Sequence, residues 1–225
     1  MRHFDKDIEA LKDQLLRMGA MVEDSISQSI RALLERDTAI AERVIAADNE
    51  IDRMELEIDQ FTIELIAKMQ PTAVDLRFVA TMMKVTPELE RIADLAQDVC
   101  ERAIELNREP QLKPLIDIPR LARISQEMVR HALDAFVKRD ANLARAVIAR
   151  DDEVDLLTEQ SFRELLTYML EDSRNISRAI RLTFVGKYFE RIADGATNIC
   201  EMVVFLVEGK VIKHAGIAGT EGEGS

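Results

Sequence analysis

Apolar residues at Phe4, Ile8, Leu11, Leu15, Met18, Val22, Ile26, Ile30 and Leu33 step by three and four. That spacing lines one face of a single long helix, and the face has to meet partner helices. Arg36-Asp37 interrupts the stripe, and Asp37 is placed to cap a second helix running to about Met69, where Gln70-Pro71 ends it. A third helix is expected from about Thr72 to Leu106. Within it Thr86-Pro87 predicts a kink or short break just before Glu88, because an interior proline loses a backbone hydrogen bond and clashes one turn back, costing about 3 kcal/mol. The periodicity lapses after Asn107, where Pro110, Pro114 and Pro119 mark a linker. Three more helices follow at roughly 119–138, 140–170 and 173–211, with Asp140 standing where Asp37 stood. The tail ending Gly-Thr-Glu-Gly-Glu-Gly-Ser is expected to be disordered.

The second set of helices repeats the first. Glu90-Arg91-Ile92-Ala93-Asp94-Leu95-Ala96-Gln97-Asp98-Val99-Cys100-Glu101 recurs as Glu190-Arg191-Ile192-Ala193-Asp194-Gly195-Ala196-Thr197-Asn198-Ile199-Cys200-Glu201, with 8 of 12 positions identical. The second helices also correspond: Asp48, Glu50 and Asp52 align with Asp151, Glu153 and Asp155 at an offset of 103, which has fallen to 100 by Glu64 and Glu164. An all-α fold follows, built from two tandem, pseudo-symmetric three-helix bundles joined end to end or side by side. The expected units are a first bundle over 1–107, a linker over 108–118, a second bundle over 119–212 and a tail over 213–225.

Composition agrees with long helices: apolar residues make up 47%, aromatics only 4%, and four of the eight glycines fall in the last ten residues. The net charge of −12 argues against direct binding of nucleic acid, and against free phosphate on the acidic faces unless a cation lies between. The start of the chain lacks the apolar core of a signal peptide and the run Met202–Val207 is too short to span a bilayer, so a cytoplasmic location is expected. Cys100 and Cys200 sit inside apolar helical patterns and read as buried free thiols.

The candidate chemistry lies in four acidic pairs spaced i,i+4 at repeat-equivalent positions: Asp48/Asp52, Glu90/Asp94, Asp151/Asp155 and Glu190/Asp194. Chance alone gives roughly eight such pairs in a chain this acidic, most of them solvated faces. Recurrence in both halves sets these four apart, since like charges four apart destabilise a helix by about 0.2–0.5 kcal/mol. If helices two and three are neighbours, four carboxylates converge in each repeat, an oxygen site for a hard cation. Glu101, Asn198 and Glu201 lie further along nearly the same faces as supplementary ligands. The other reading is that Arg91, Arg191 and other bases pair with these acids as surface salt bridges. A carboxylate-bridged di-metal oxidase needs Glu-x-x-His on two helices. His3, His131 and His214 have no Glu three residues before them.

The block Glu190-Arg191-Ile192-Ala193-Asp194 followed by Asn198-Ile199-Cys200-Glu201 resembles the signature of the PhoU family, bacterial and archaeal accessory and regulatory proteins of phosphate transport. Gln70-Pro71 before Asp75-Leu76-Arg77 and the run Leu165 to Asp172 before Asn175-Ile176 carry the resemblance further, and it covers about residues 4–210. Ala93 and Ala193 stand where the family usually has glycine, Asp98 departs from Asn198, and Pro87 is a further departure. The resemblance implies a pair of three-helix bundles without enzymatic activity, with metal ions such as iron, Mg, Mn or Zn held by Asp48, Asp52, Glu90, Asp94, Asp151, Asp155, Glu190 and Asp194. It also implies a homodimer that restrains phosphate uptake and starvation signalling. Its expected contacts are the ATPase subunit of a phosphate ABC transporter and a phosphate-sensing histidine kinase, and it would reach the membrane only through these partners. A metal-free helical scaffold is the remaining alternative.

Overall fold

A computed structural model describes residues 3–69 and 73–209. The expected tail, and the Gln70-Pro71 stop, lie outside the described residues. The elements are α1 (His3–Glu35), α2 (Thr38–Met69), α3 (Ala73–Asn107), α4 (Asp117–Lys138), α5 (Ala141–Ile148), α6 (Asp151–Glu171), a single 3-10 turn (Ser173–Asn175) and α7 (Ile176–Glu208). Among the described residues there is no strand, so the fold is all-helical with six long helices.

The turns entering α2 and α5 are the same device twice. Asp37 accepts hydrogen bonds from the backbone N–H groups of Ala39 and Ile40 at 2.9 and 3.2 Å, and Asp140 from Asn142 and Leu143 at 2.9 and 3.0 Å. Each satisfies donors that the first turn of a helix leaves unpaired. The preceding residues, Arg36 and Arg139, take positive φ of 55° and 52°, a left-handed conformation that costs a non-glycine residue about 1–2 kcal/mol. Contacts to their side chains offset that cost. The Arg36 guanidinium donates to the carbonyls of Leu106 and Glu109, and the Arg139 guanidinium lies 4.8 Å from the centre of the Phe78 ring.

Two expectations from the sequence need correction. The helix expected over 140–170 is interrupted: a turn at Ala149-Arg150 separates α5 from α6. Conversely, the short break expected before Glu88 is absent, since α3 is continuous helix through Pro87. The Thr86 hydroxyl there bonds back to the Met82 carbonyl at 2.9 Å in a buried setting. Packing on both sides outweighs the one hydrogen bond that proline removes.

Helices α1, α2 and α3 pack together, as do α4, α5/α6 and α7. The two bundles lie side by side, because α3 packs along α7 and α1 along α4. Contacts pair Arg77 with Leu206, Glu88 with Asn198 and Glu105 with Arg181, so α3 and α7 run antiparallel. One apolar core crosses the seam, from Leu11, Leu15 and Met18 through Phe78, Leu89 and Ile92 to Phe136, Phe189 and Val203. Phe78 and Phe136 stack across it with ring centres 5.1 Å apart, and within the second bundle the Ser125 hydroxyl donates to the Phe189 carbonyl at 2.8 Å. Gly19 lets α1 approach α4: a Cβ there would sit 2.3 Å from Leu133 Cδ1.

Gly186, also inside a helix, is different. A Cβ would meet only Leu121 Cδ1, at 3.9 Å. Gly186→Ala is therefore expected to raise the unfolding free energy by about 0.5–1 kcal/mol, read from the urea midpoint.

The segment between the bundles is anchored along its length. Lys113 is buried and pairs with Glu164, Arg178 donates to the Pro110 carbonyl at 2.9 Å, and Leu112 and Leu115 pack on the core. Cys100 and Cys200 are free and buried, and burial pushes both thiols up to about 12.

Candidate functional site

Residues four apart on a helix share a face, and α2 lies along α3 as α6 lies along α7. The acidic pairs therefore meet across two grooves, one in each bundle. In the first, Asp48 and Asp52 of α2 face Glu90 and Asp94 of α3, and Glu55 of α2 joins them. Burial, with the neighbouring charges of Asp94 and Asp52, raises Asp48 to about 6, and a carboxyl–carboxylate hydrogen bond with Asp94 favours the proton on Asp48. Glu90 is raised to about 7 by burial and then by Asp94, Glu55, Asp52 and Asp48. Asp94 is exposed as a residue, yet protein crowded around it and the Asp52 charge raise it too. Desolvation and like charge act in the same direction throughout.

The second groove is built alike but is partly neutralised. Burial raises Asp151 to about 6, aided by Asp194 and Asp155, while the adjacent Thr197 hydroxyl opposes the rise. Asp155 and Asp194 are raised by burial and by the Glu190 charge, and Lys187 pulls both back. Lys187 Nζ sits 2.8 and 2.7 Å from the two Glu190 carboxylate oxygens. The first repeat has Pro87 at the position of Lys187, and Arg91 there pairs with Glu88 instead of the cluster. The two acid clusters thus differ by one cation, Lys187, in the second and by one further acid, Glu55, in the first, where the second repeat has Thr158.

The supplementary candidates are placed less uniformly. Asp151, Asp194, Thr197, Asn198 and Glu201 line one cavity of about 410 Å3 with Arg91 and Arg191. The Asn198 amide is turned toward the other bundle, donating to Glu88 at 3.1 Å. Glu101 pairs with its neighbour Arg102 at 3.3 Å. Among the described residues, no three Asp, Glu, His or Cys side chains close into a group that could hold a metal ion as they stand. Sequence reasoning missed Glu55 and Lys187. Glu55 was legible three residues beyond Asp52 on the same face; the weight of Lys187 emerges only when it is set against Pro87.

No helix among the described residues is long and apolar enough to cross a membrane. Fold and grooves together define a class: paired three-helix bundles, pseudo-symmetric, with a facing set of carboxylates in each. The PhoU domain family matches residues 15–103 and 118–203, one domain for each bundle. A phosphate-specific transport system accessory protein PhoU homolog from Aquifex aeolicus is 42% identical over 212 residues, covering 94% of this chain and 96% of the relative. The crystal structure of PhoU from Pseudomonas aeruginosa superposes with a TM-score of 0.88 at 38% identity, over 92% of this chain and all of the other. That of the phosphate transport system regulatory protein PhoU from Streptococcus pneumoniae gives 0.86 at 25% identity, over 93% and 99% of the two chains. The chain belongs to the PhoU family.

Proposed function

We propose that this protein is a non-enzymatic regulator of phosphate transport that acts in the cytoplasm by protein contact. The observation that carries the proposal is the match to the family along both bundles, 15–103 and 118–203, by relatives named as transport accessory and regulatory proteins. Its partners are the ATPase subunit of a phosphate ABC transporter and a phosphate-sensing histidine kinase, and it restrains the starvation response when phosphate is plentiful. It does so as a homodimer, which light scattering of the purified protein tests. Capture of the tagged chain from cross-linked, phosphate-replete cells should recover transporter and kinase components. Recovery of neither sinks the adaptor role.

We further propose that the two grooves take hard cations. The donor set fits, since it is all carboxylate oxygen and the raised acids show repulsion that a cation relieves. Asp48, Asp52, Glu90 and Asp94 would hold one group of ions, and Asp151, Asp155, Glu190 and Asp194 the other. Bound cations would supply charge neutralisation between facing helices, so that loading stabilises one packing of each bundle over others. The metal-free scaffold reading draws on the absence, among the described residues, of a closed ligand group. Metal content after exhaustive dialysis, with Asp94→Ala and Asp194→Ala as controls, separates the two: retained, stoichiometric metal lost in the variants supports the sites, and none in the parent protein removes them.

Lys187 makes the second site the weaker. Lys187→Met is expected to raise Mn2+ affinity there by roughly three- to tenfold, the order expected from removing one screened, competing cation. Calorimetric titration should show two unequal classes of site converging in the variant.

A further inference from the structure

Between α3 and α7 lies a second cavity, of about 390 Å3, whose wall includes Arg77, Lys84, Met202 and Phe205. Arg91, Asn198 and Glu201 separate it from the acidic cavity of the second groove, since they line both. Ala80, Thr81 and Glu88 complete the wall, in which the cations Arg77, Lys84 and Arg91 meet the carboxylates Glu88 and Glu201. Met202 and Phe205 are half-buried, and the Phe205 ring stacks on no other ring among the described residues. Across from them, Lys84 makes no ion pair among the described residues, while Arg91 is already matched by Glu88.

The pseudo-symmetry of the fold supplies an internal comparison. With an offset of 100, the corresponding seam lies between the first half of α7 and the second half of α3, and there the chain fills the space itself. Phe184 and Tyr188 stand where Lys84 and Glu88 stand, and stack with ring centres 6.3 Å apart. Arg102 takes the place of Met202 and pairs with Glu105 at 2.7 Å, and Arg181 reaches Glu105 at 2.6 Å and Glu109 at 3.0 Å. One seam is therefore closed by rings and by arginine–glutamate pairs; the other has Met202 and Thr81 in place of Arg102 and Arg181, and is lined by Arg77, Lys84 and the Glu88–Arg91 pair without a stacked ring pair.

We propose that the open seam is a binding site for a small organic anion with an aromatic or other flat apolar body. The body lies on Met202 and Phe205, in the space the stacked Phe184–Tyr188 rings help to fill on the closed seam and that Lys84 and Glu88 leave open here. The anionic group meets Lys84 and Arg77, cations that stand out in a chain of net charge −12. A bare inorganic anion lacks the apolar half of this recognition. The site shares Arg91, Asn198 and Glu201 with the wall of the second acidic groove and does not depend on the partners proposed above.

The test uses 1-anilinonaphthalene-8-sulfonate as probe on the full chain at low ionic strength. One saturable, fluorescence-enhancing site per chain is expected, weakened at least tenfold by Lys84→Gln. It should be abolished by Ala80→Ile with Lys84→Phe, which install the residues of the closed seam, while far-UV circular dichroism and melting temperature stay at parent values. 1-Naphthyl phosphate should displace the probe, and inorganic phosphate at equal concentration should not. Probe binding that does not saturate, or that is unchanged in these variants, overturns the site. Displacement by inorganic phosphate alone overturns the ligand class.

Discussion

Phe78→Ala is expected to lower the unfolding free energy by about 3–5 kcal/mol, and to do so in one cooperative transition. Phe78 is fully buried at the junction of the two bundles. Its ring stacks on Phe136 of α4, with Lys12 of α1 at 5.8 Å from its centre and Arg139 at 4.8 Å. Truncation removes a large apolar surface, leaves a cavity, and strips Arg139 of the ring that offsets its left-handed backbone. Because one core runs through both bundles, the loss is shared by the whole chain rather than by residues 3–107 alone. Urea unfolding followed by far-UV circular dichroism and by hydrogen exchange of α6 should shift together. A transition splitting into two, with α6 protected to the parent level, shows instead that the bundles unfold separately.

The second large effect is on pH dependence. The groups involved are Asp48 and Asp151, raised to about 6, and Glu90, raised to about 7. A carboxyl with a folded-state value above its unfolded one binds the proton more tightly when folded. It contributes stability that is fully present below the unfolded value near 4 and is lost as pH rises through the folded value. Dialysed, metal-free protein should therefore lose stability between about pH 4 and pH 8, on the slope set by these three groups. Acids elsewhere that are lowered by arginine or lysine, such as Glu127 beside Arg150 and Arg123, act oppositely, but their window lies below that of the raised groups. Glu90→Gln should flatten the slope and stabilise the metal-free protein at pH 8 by about 1–2 kcal/mol, a figure reduced for solvent screening of a half-buried group. Mn2+ should restore the parent at pH 8 and have little effect on the variant's first site. A parent whose stability is flat from pH 5 to 8 removes the electrostatic basis of the argument.

These two effects divide along the line between local and long-range information. The stripe from Ile8 to Leu33, the caps at Asp37 and Asp140, and the duplication at 90–101 and 190–201 were all legible in the sequence. Helical phase and capping depend on residues within a turn or two of each other. The pairing of Asp48 with Asp52 on one face, and of Glu90 with Asp94 on another, follows from the same phase. Pro87 shows where that reasoning stops: its local penalty was readable, but the unbroken α3 around it reflects packing on α1, α2 and α7.

What only the tertiary structure decided is everything that depends on which faces meet. End-to-end and side-by-side bundles have the same periodicity, and the choice rests on Phe78 meeting Phe136, Gly19 admitting Leu133 and α3 lying antiparallel on α7. The same holds for the acids. Spacing put four carboxylates in each repeat on the right faces and left Glu55 and Lys187 within a turn of them, but that Glu55 of α2 acts on Glu90 of α3, and Lys187 of α7 on Asp155 of α6, follows only from the packing. Nor did it show that of two equivalent seams one is closed by Phe184 and Tyr188 and the other stands open over Phe205. Helix formation and pairs such as Lys187–Glu190 depend on contacts within a turn of one helix, whereas which acids share a groove and which seam stays open are set by side chains on different helices that only packing brings together.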